Sequence, residues 1–305
     1  MKKKINAHKN ILSLIGNTPL IKLNKVTNNF AGSYFAKYEA MNPGQSNKDR
    51  IALHIIDSAE KNGLIDKETT IIETTSGNTG FSLSMVSMVK GYKCIVAVSS
   101  KSSPDKIDML KSMGAKVYVC PANVPADDKR SYYQVAKRLS EEIKDSFYVN
   151  QYFNELNIDA HYKTTGPEIW RDTAGQVTHF VSAMGTTGSI MGVSRYLKGQ
   201  NPDVQIIGAE PSEGSQIPGI RKWPKEYLPK IYKPAGVDRV VQVTQLEAEE
   251  MARKMAAEEG IFCGISAAGA AHIALKIAEE VENATIVFIV CDRGDRYLST
   301  GVFPA

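Results

Sequence analysis

The sequence predicts an α/β fold built on parallel sheets. Short β-branched runs alternate with segments whose apolar residues recur at helical spacing, and they do so through both halves of the chain. One run, Thr285 to Val290, is apolar almost throughout, as expected of a strand buried on both faces in the middle of a parallel sheet. Glycine-rich turns stand at two of the strand-to-helix junctions, Thr74 to Gly80 and Met184 to Ser189.

The elements follow in order. A loop runs into a helix at Asp49 to Lys61. Thr70 to Glu73 reads as a strand, followed by a glycine turn and a helix from about Thr79 to Lys90. Tyr92 to Val98 is the next strand, and Lys106 to Met113 a short helix that Gly114 can cap. Lys116 to Cys120 is extended. Ser131 to Lys144 is helical, with Val135, Leu139 and Ile143 at helical spacing. Phe147 to Val149 is extended again. The second half repeats the pattern, with strands at Thr178 to Ala183, Gln205 to Ala209 and Thr285 to Val290. Its helices are Ser189 to Lys198, Leu246 to Glu259 and the alanine-rich Ala267 to Glu280. Pro211 to Gly236 is irregular and too long for an ordinary loop, which makes it either functional or partly ordered by a site.

A chain of 305 residues is enough for one large or two medium domains, each with its own core. Hydrophobic residues at 43% and charged residues at 23% are ordinary for a globular protein. The net charge of +4 is mild, and no basic stripe interleaved with aromatics follows Lys2 to Lys4, so nucleic acid is not an expected partner. Cys94, Cys120, Cys263 and Cys291 form no CxxC pair and are expected to be free thiols in a reducing compartment. The histidines form no HxxxH or HExxH arrangement, and no metal site is expected. No continuous apolar stretch follows the N-terminal lysines, and no apolar run approaches membrane-spanning length, so a cytoplasmic protein without a membrane partner is expected.

A glycine turn exposes backbone N–H groups, and the helix N-terminus behind it adds partial positive charge; together they form an anion cradle. One such turn is weak evidence, since many only join strand to helix, and neither turn here is a P-loop or a GxGxxG fingerprint. A third segment carries more information: Asn42-Pro43-Gly44-Gln45-Ser46-Asn47-Lys48-Asp49-Arg50. A lysine at a loop-to-helix junction is ordinarily just solvated, and here its neighbours are the message.

These segments resemble the cysteine synthase family of fold type II pyridoxal phosphate (PLP) enzymes, in the tryptophan synthase β-subunit superfamily. Ile15-Gly16-Asn17-Thr18-Pro19-Leu20 is similar to the family's opening motif, and Asn42 to Arg50 to its lysine motif. Thr75-Ser76-Gly77-Asn78-Thr79 is similar to its asparagine loop, and Thr164 to Trp170 to a further block. The similarity runs from about residue 11 to 303. Met184 to Gly188, Ile217 to Pro224 and Cys291 to Gly301 resemble the cysteine synthase B branch in particular.

The resemblance implies two open parallel-sheet α/β domains. The N-terminal one, 1–152, would hold the PLP lysine and asparagine loop and have a mobile part at about 53–150. The C-terminal one, 153–305, would hold the phosphate loop and the pyridine-nitrogen serine. The resemblance also implies roles. Lys48 would form the internal aldimine and shuttle the α-proton, with Ser76 beside it in catalysis. Asn78 would bond the pyridine hydroxyl oxygen, Gly185, Thr186, Thr187, Gly188 and Ser189 would hold the phosphate, and Ser266 would meet the pyridine nitrogen. Thr75, Ser76, Thr79 and Gln151 would receive the substrate carboxylate. These roles are physically sensible: the cofactor supplies the electron sink, and the protein supplies orientation. A serine at the pyridine nitrogen cannot force its protonation as a carboxylate would, which favours prompt loss of a β-substituent over a long-lived carbanion.

The implied reaction is β-replacement through an α-aminoacrylate: cysteine from O-acetylserine or O-phosphoserine and sulfide, by a homodimer. Two alternatives stand beside it. One consumes cysteine and releases hydrogen sulfide, giving serine, lanthionine or pyruvate. The other, a non-catalytic regulatory partner, is opposed by Lys48, Asn78 and Ser266. No appended regulatory module or haem-binding extension of the cystathionine β-synthase kind is expected. The chain departs from the family at Gln45, usually a small residue, and at Asn47, usually valine. Either these are bland loop surface or they make a more polar pocket that changes the nucleophile accepted. Ala267-Ala268 follows Ser266 where Ser-Gly is usual, which puts a methyl near the expected ring. Arg221 and Lys222 either bind a charged leaving group or are solvated. Asp292 and Asp295 either approach the ring or pair with Arg293 and Arg296.

Overall fold

In the computed structural model, which describes residues 5–75, 77–223 and 228–303, the chain divides into two units that exchange segments. Strands β1 (Leu20–Lys22) and β2 (Gly32–Tyr38) come first, then helix α1 (Lys48–Lys61). The alternation continues as β3 (Thr70–Thr74), α2 (Asn78–Lys90), β4 (Lys93–Ser99), α3 (Pro104–Ser112), β5 (Lys116–Cys120), α4 (Tyr132–Glu142) and β6 (Ser146–Tyr148). Helices α5 (Leu156–Lys163) and α6 (Thr165–Asp172) precede β7 (His179–Ala183), α7 (Gly188–Gln200), β8 (Gln205–Pro211) and β9 (Arg239–Val243). The last elements are α8 (Gln245–Glu259), α9 (Ile265–Glu280) and β10 (Ala284–Val290).

The smaller unit comprises Met1–Ile15, Asn42–Gly44 and Lys48–Gln151. Its four strands run parallel in the order β5-β4-β3-β6. Every residue of β3 is buried, as a strand covered on both faces requires. On α1, Ile51, Ile55 and Ile56 are buried at helical spacing. Helix α2 stops at Gly91, whose left-handed φ of 83° suits glycine and lets its N–H close on the carbonyls of Ser87 and Met88. Helix α4 opens on Ser131, whose hydroxyl accepts from the Gln134 N–H, and packs Val135 and Leu139 into a cluster with Ile72, Ile95 and Ala97.

The larger unit comprises Gly16–Met41, Gln45–Asn47 and Tyr152–Ala305. Its six strands lie in the order β1-β2-β10-β7-β8-β9, parallel except for the antiparallel β1–β2 pair. Apolar clusters form its core: Phe180, Ile190, Leu197 and Val287 belong to one, and Met255, Ile273, Ile277 and Phe288 to another. Helix α8 opens on a reciprocal capping box between Thr244 and Glu247. The Glu259 carboxylate takes up the backbone N–H groups of Asn24, Lys25 and Val26.

The chain passes from the smaller to the larger unit between Gln151 and Tyr152, but residues 16–41 and 45–47 also belong to the larger one. Residues 16–41 belong with the C-terminal half because β2 pairs in parallel with β10 from Gly32↔Ala284 to Tyr38↔Val290, which satisfies its backbone in the larger sheet. No strand is expected there from the residues alone. Lys37 breaks the apolar pattern of β2, yet it is fully buried, with its ammonium 2.8 Å from Glu168 and 2.6 Å from the Thr18 carbonyl. Among the described residues, no helix is long and apolar enough to cross a membrane, and no group of three or more His, Cys, Asp or Glu could hold a metal.

Candidate active site

In the larger unit β7 ends at Ala183, and the chain turns through Gly185–Thr187 into α7. The turn is tight enough to need its glycines. A Cβ on Gly185 would stand 2.7 Å from the Gly219 carbonyl, and one on Gly188 would collide with the Asn157 carboxamide. Thr187 takes a left-handed φ of 70° at the helix N-cap. The N–H groups of the first turn of α7 have no intrahelical acceptor, and the helix dipole adds positive charge there. Thr187 Oγ1 is buried without a hydrogen-bond partner among the described residues. The donor-rich, glycine-lined turn with an orphaned hydroxyl fits a phosphate monoester such as that of PLP.

The irregular stretch after β8 is pinned across this turn. The Arg221 N–H donates to the Met184 carbonyl at 2.9 Å, and Trp223 Nε1 donates to the Gly185 carbonyl at 2.9 Å. Gly219, at φ 90°, lies against Ser266: a Cβ there would stand 3.0 Å from Ser266 Oγ. Ser266 is buried in the first turn of α9. The turn Gly185–Ser189, the Ile217–Trp223 strap and Ser266 are thus brought together. Ala267 and Ala268 are fully buried and belong to the apolar core.

The neighbouring departures sort out as follows. Asn47 is buried, with its N–H on the Cys291 carbonyl at 2.9 Å and its carboxamide on Ser189 Oγ at 3.0 Å. Gln45 is half-buried with a left-handed φ of 59°. The Arg221 guanidinium lies over the rings of Trp223, at 5.2 Å, and Tyr152, at 6.0 Å. Asp292 accepts from Tyr297 Oη at 2.7 Å, while Asp295 pairs with Arg293 at 3.4 Å. Cys94, Cys120 and Cys263 are buried free thiols; burial pushes Cys263 up to about 12 and Cys94 up to about 11.

In the smaller unit Lys48 is the first residue of α1 and Asn78 the first of α2. The two helices are tied near these ends by Ser82 Oγ, which donates to Asp49 Oδ1 at 2.5 Å. The other Asp49 oxygen accepts the Gly44 N–H at 2.5 Å, which holds the chain before Lys48. Thr79 Oγ1 donates to Gln151 Oε1 at 2.7 Å, so two residues expected at the substrate carboxylate meet directly. Thr75 is buried, and its hydroxyl accepts the Gly77 N–H at 3.2 Å. Ser76 lies outside the described residues.

Three further residues, in one unit or the other, were given no role from sequence. Glu73, fully buried on β3, accepts the N–H groups of Thr74 at 2.6 Å and Gln151 at 3.1 Å. Burial outweighs those donors and pushes its carboxyl up to about 8. It is therefore mostly neutral at pH 7 and brings little negative charge to a loop expected to receive a carboxylate. His161 sits between Ser189 and Thr165, and Trp223 holds the glycine turn. For Glu73 the available signal was a carboxylate inside an apolar strand; for Trp223 it was membership of the Ile217 to Pro224 block, and nothing local marks His161.

A two-unit α/β chain with a phosphate-fitting glycine turn and a lysine heading a helix fits the class of PLP enzymes. The sequence profile of the family described as "Pyridoxal-phosphate dependent enzyme" matches residues 11–292. The chain is 48% identical to cysteine synthase B of Pseudomonas aeruginosa over 293 residues, 96% of this chain and 97% of that one. Cysteine synthase from Entamoeba histolytica superposes with TM-score 0.91 at 35% identity, covering 100% of this chain and 93% of that one. A hydrogen sulfide-producing enzyme from Fusobacterium nucleatum gives TM-score 0.89 at 33% identity, covering 96% and 98%. The chain belongs to the pyridoxal-phosphate dependent enzyme family, in its cysteine synthase branch.

Gly188→Ala tests the cradle. The added methyl must displace the Asn157 carboxamide, which also donates to Thr186 Oγ1 at 3.2 Å. PLP affinity, followed by absorbance titration of the apoprotein, is expected to fall at least about tenfold, the equivalent of one lost hydrogen bond or more.

Proposed function

We propose that this enzyme makes L-cysteine by β-replacement, from O-acetylserine or O-phosphoserine and sulfide. The observation that carries the proposal is the near-full-length identity to cysteine synthase B. In this reading Lys48 binds the cofactor, Asn78 bonds the pyridine hydroxyl oxygen, Gly185–Ser189 hold the phosphate and Ser266 meets the pyridine nitrogen. PLP, when bound, supplies an electron sink for charge developing at the substrate α-carbon. Thr75, Ser76, Thr79 and Gln151 orient the substrate carboxylate. Lys48 Nζ removes the α-proton, the acetate or phosphate leaves the β-carbon, sulfide adds there, and Lys48 returns the proton to the α-carbon. Ser266, a neutral partner, leaves the ring nitrogen without a full charge and so favours loss of the β-substituent. We assign the enzyme to the cytoplasm as a homodimer, the latter to be checked by light scattering of the purified protein.

The second reading, cysteine in and hydrogen sulfide out, draws on the likeness to the Fusobacterium enzyme. A panel of O-acetylserine plus sulfide, O-phosphoserine plus sulfide, and cysteine alone, with products identified, separates the two. Cysteine formation from one of the donors is expected to be the fastest. Faster sulfide release from cysteine alone would refute the proposal in favour of the second reading.

A further inference from the structure

We infer that Asn47 is a positioning residue for the cofactor phosphate, acting through Ser189; this rests on the reading that Gly185–Ser189 hold that phosphate. Asn47 is only 1% exposed, and a buried carboxamide needs partners that an apolar residue would not. It donates from Nδ2 to Ser189 Oγ at 3.0 Å. The same hydroxyl lies 3.0 Å from His161 Nε2, and His161 Nδ1 lies 2.9 Å from Thr165 Oγ1.

A serine hydroxyl has one proton and two lone pairs, and a neutral imidazole donates from one nitrogen and accepts at the other. In the arrangement we infer, Thr165 donates to Nδ1, His161 donates from Nε2 to Ser189, and Asn47 donates to the second Ser189 lone pair. The Ser189 proton then points away from both, toward an anion at the N-terminus of α7. Without Asn47, one of the donors that fix the Ser189 hydroxyl is gone, and its proton is held less firmly toward the phosphate. Asn47 is also the residue before Lys48, and its backbone N–H is held by the Cys291 carbonyl whatever its side chain. The side chain's contribution can therefore be removed while the backbone anchor stays. On this inference, the valine-to-asparagine departure serves retention of the cofactor rather than the choice of nucleophile.

The test compares Asn47→Val, Asn47→Asp, Ser189→Ala and the double variant Asn47→Val/Ser189→Ala, reading PLP affinity of the apoprotein and the ³¹P resonance of the bound cofactor. Asn47→Val is expected to bind PLP about tenfold more weakly, one charge-assisted hydrogen bond's worth, and to move the ³¹P resonance. The double variant is expected to bind no more weakly than Ser189→Ala alone, because the inferred effect of Asn47 on the phosphate runs through that hydroxyl. Wild-type affinity and an unmoved resonance in Asn47→Val would overturn the inference, as would additive losses in the double variant. If Ser189→Ala binds normally, the phosphate reading of Ser189 itself fails; if Ser189→Ala is weakened and Asn47→Val is not, only the role of Asn47 fails. Should Asn47→Val not fold, Asn47→Asp keeps the shape, loses the donor and is expected to weaken binding at least as much; unchanged affinity there is equally fatal.

Discussion

Replacing Lys48 by alanine is expected to lower turnover by about a thousandfold or more and to leave the purified protein colourless. On the proposed reading two functions are lost at once, the covalent hold on the cofactor and the base that moves the α-proton. General acid–base catalysis alone is worth about a hundred- to ten-thousandfold. The fold is expected to tolerate the change. Lys48 is half-buried at the first position of α1, where alanine is a good helix former, and Asp49 still holds Gly44 and Ser82. Thermal unfolding of the apoproteins is therefore the control. Lys48→Arg keeps the charge without a competent amine and is expected to be equally inactive. Borohydride treatment of wild type is expected to reduce the imine, bleach the yellow colour and abolish activity. If Lys48→Ala stays yellow and turns over at a tenth of the wild-type rate, Lys48 is not the reactive lysine.

Glu73 gives the largest expected effect on stability, and its sign runs opposite to that of a salt-bridged carboxylate. Burial raises the folded-state value from 4.5 to about 8. Between those pH values the folded protein binds a proton that the unfolded chain has released. Stability therefore falls as pH rises, at about 1.4 kcal/mol per pH unit for this one group. The contribution is fully present below pH 4.5 and is gone once pH passes about 8, for a total of about 5 kcal/mol. Glu73→Gln removes the titration. The carboxamide of that variant has a single acceptor oxygen and cannot take both N–H groups that Glu73 accepts, which costs about 1 kcal/mol at low pH. Urea unfolding at pH 6 and pH 9 is expected to show wild type losing about 3 kcal/mol more than Glu73→Gln over that interval. Parallel losses would show that Glu73 is already ionised in the folded state.

Much of this protein is legible in its residues because the relevant physics is local. The strand and helix periods are set by neighbours a few positions apart, and β3, β4, β5 and β10 lie within a residue or two of their expected limits. The PLP-family assignment rests on short motifs in order, because a glycine turn and a lysine at a helix start each need particular residues in one stretch of chain. Gly185 and Gly188 are examples, since any Cβ there meets a carbonyl or a carboxamide. What the sequence could not order is what depends on partners far along the chain. Residues 16–41 cross to the larger unit because β10, some 250 positions later, completes the hydrogen bonding of β2. Lys37 hides inside a strand because Glu168 neutralises it from another element. Arg221 stacks over Tyr152 and Trp223 in a stretch that reads only as irregular.

Asn47 shows the division most clearly. From sequence it is a departure beside Lys48, equally compatible with loop surface and with an altered pocket. The tertiary structure turns its carboxamide to Ser189, 142 positions away. A residue's type and its immediate neighbours determine what it can donate or accept. Only the folded chain decides which distant group receives it, because burial obliges each polar atom to find its partner among whatever the packing brings within about 3 Å.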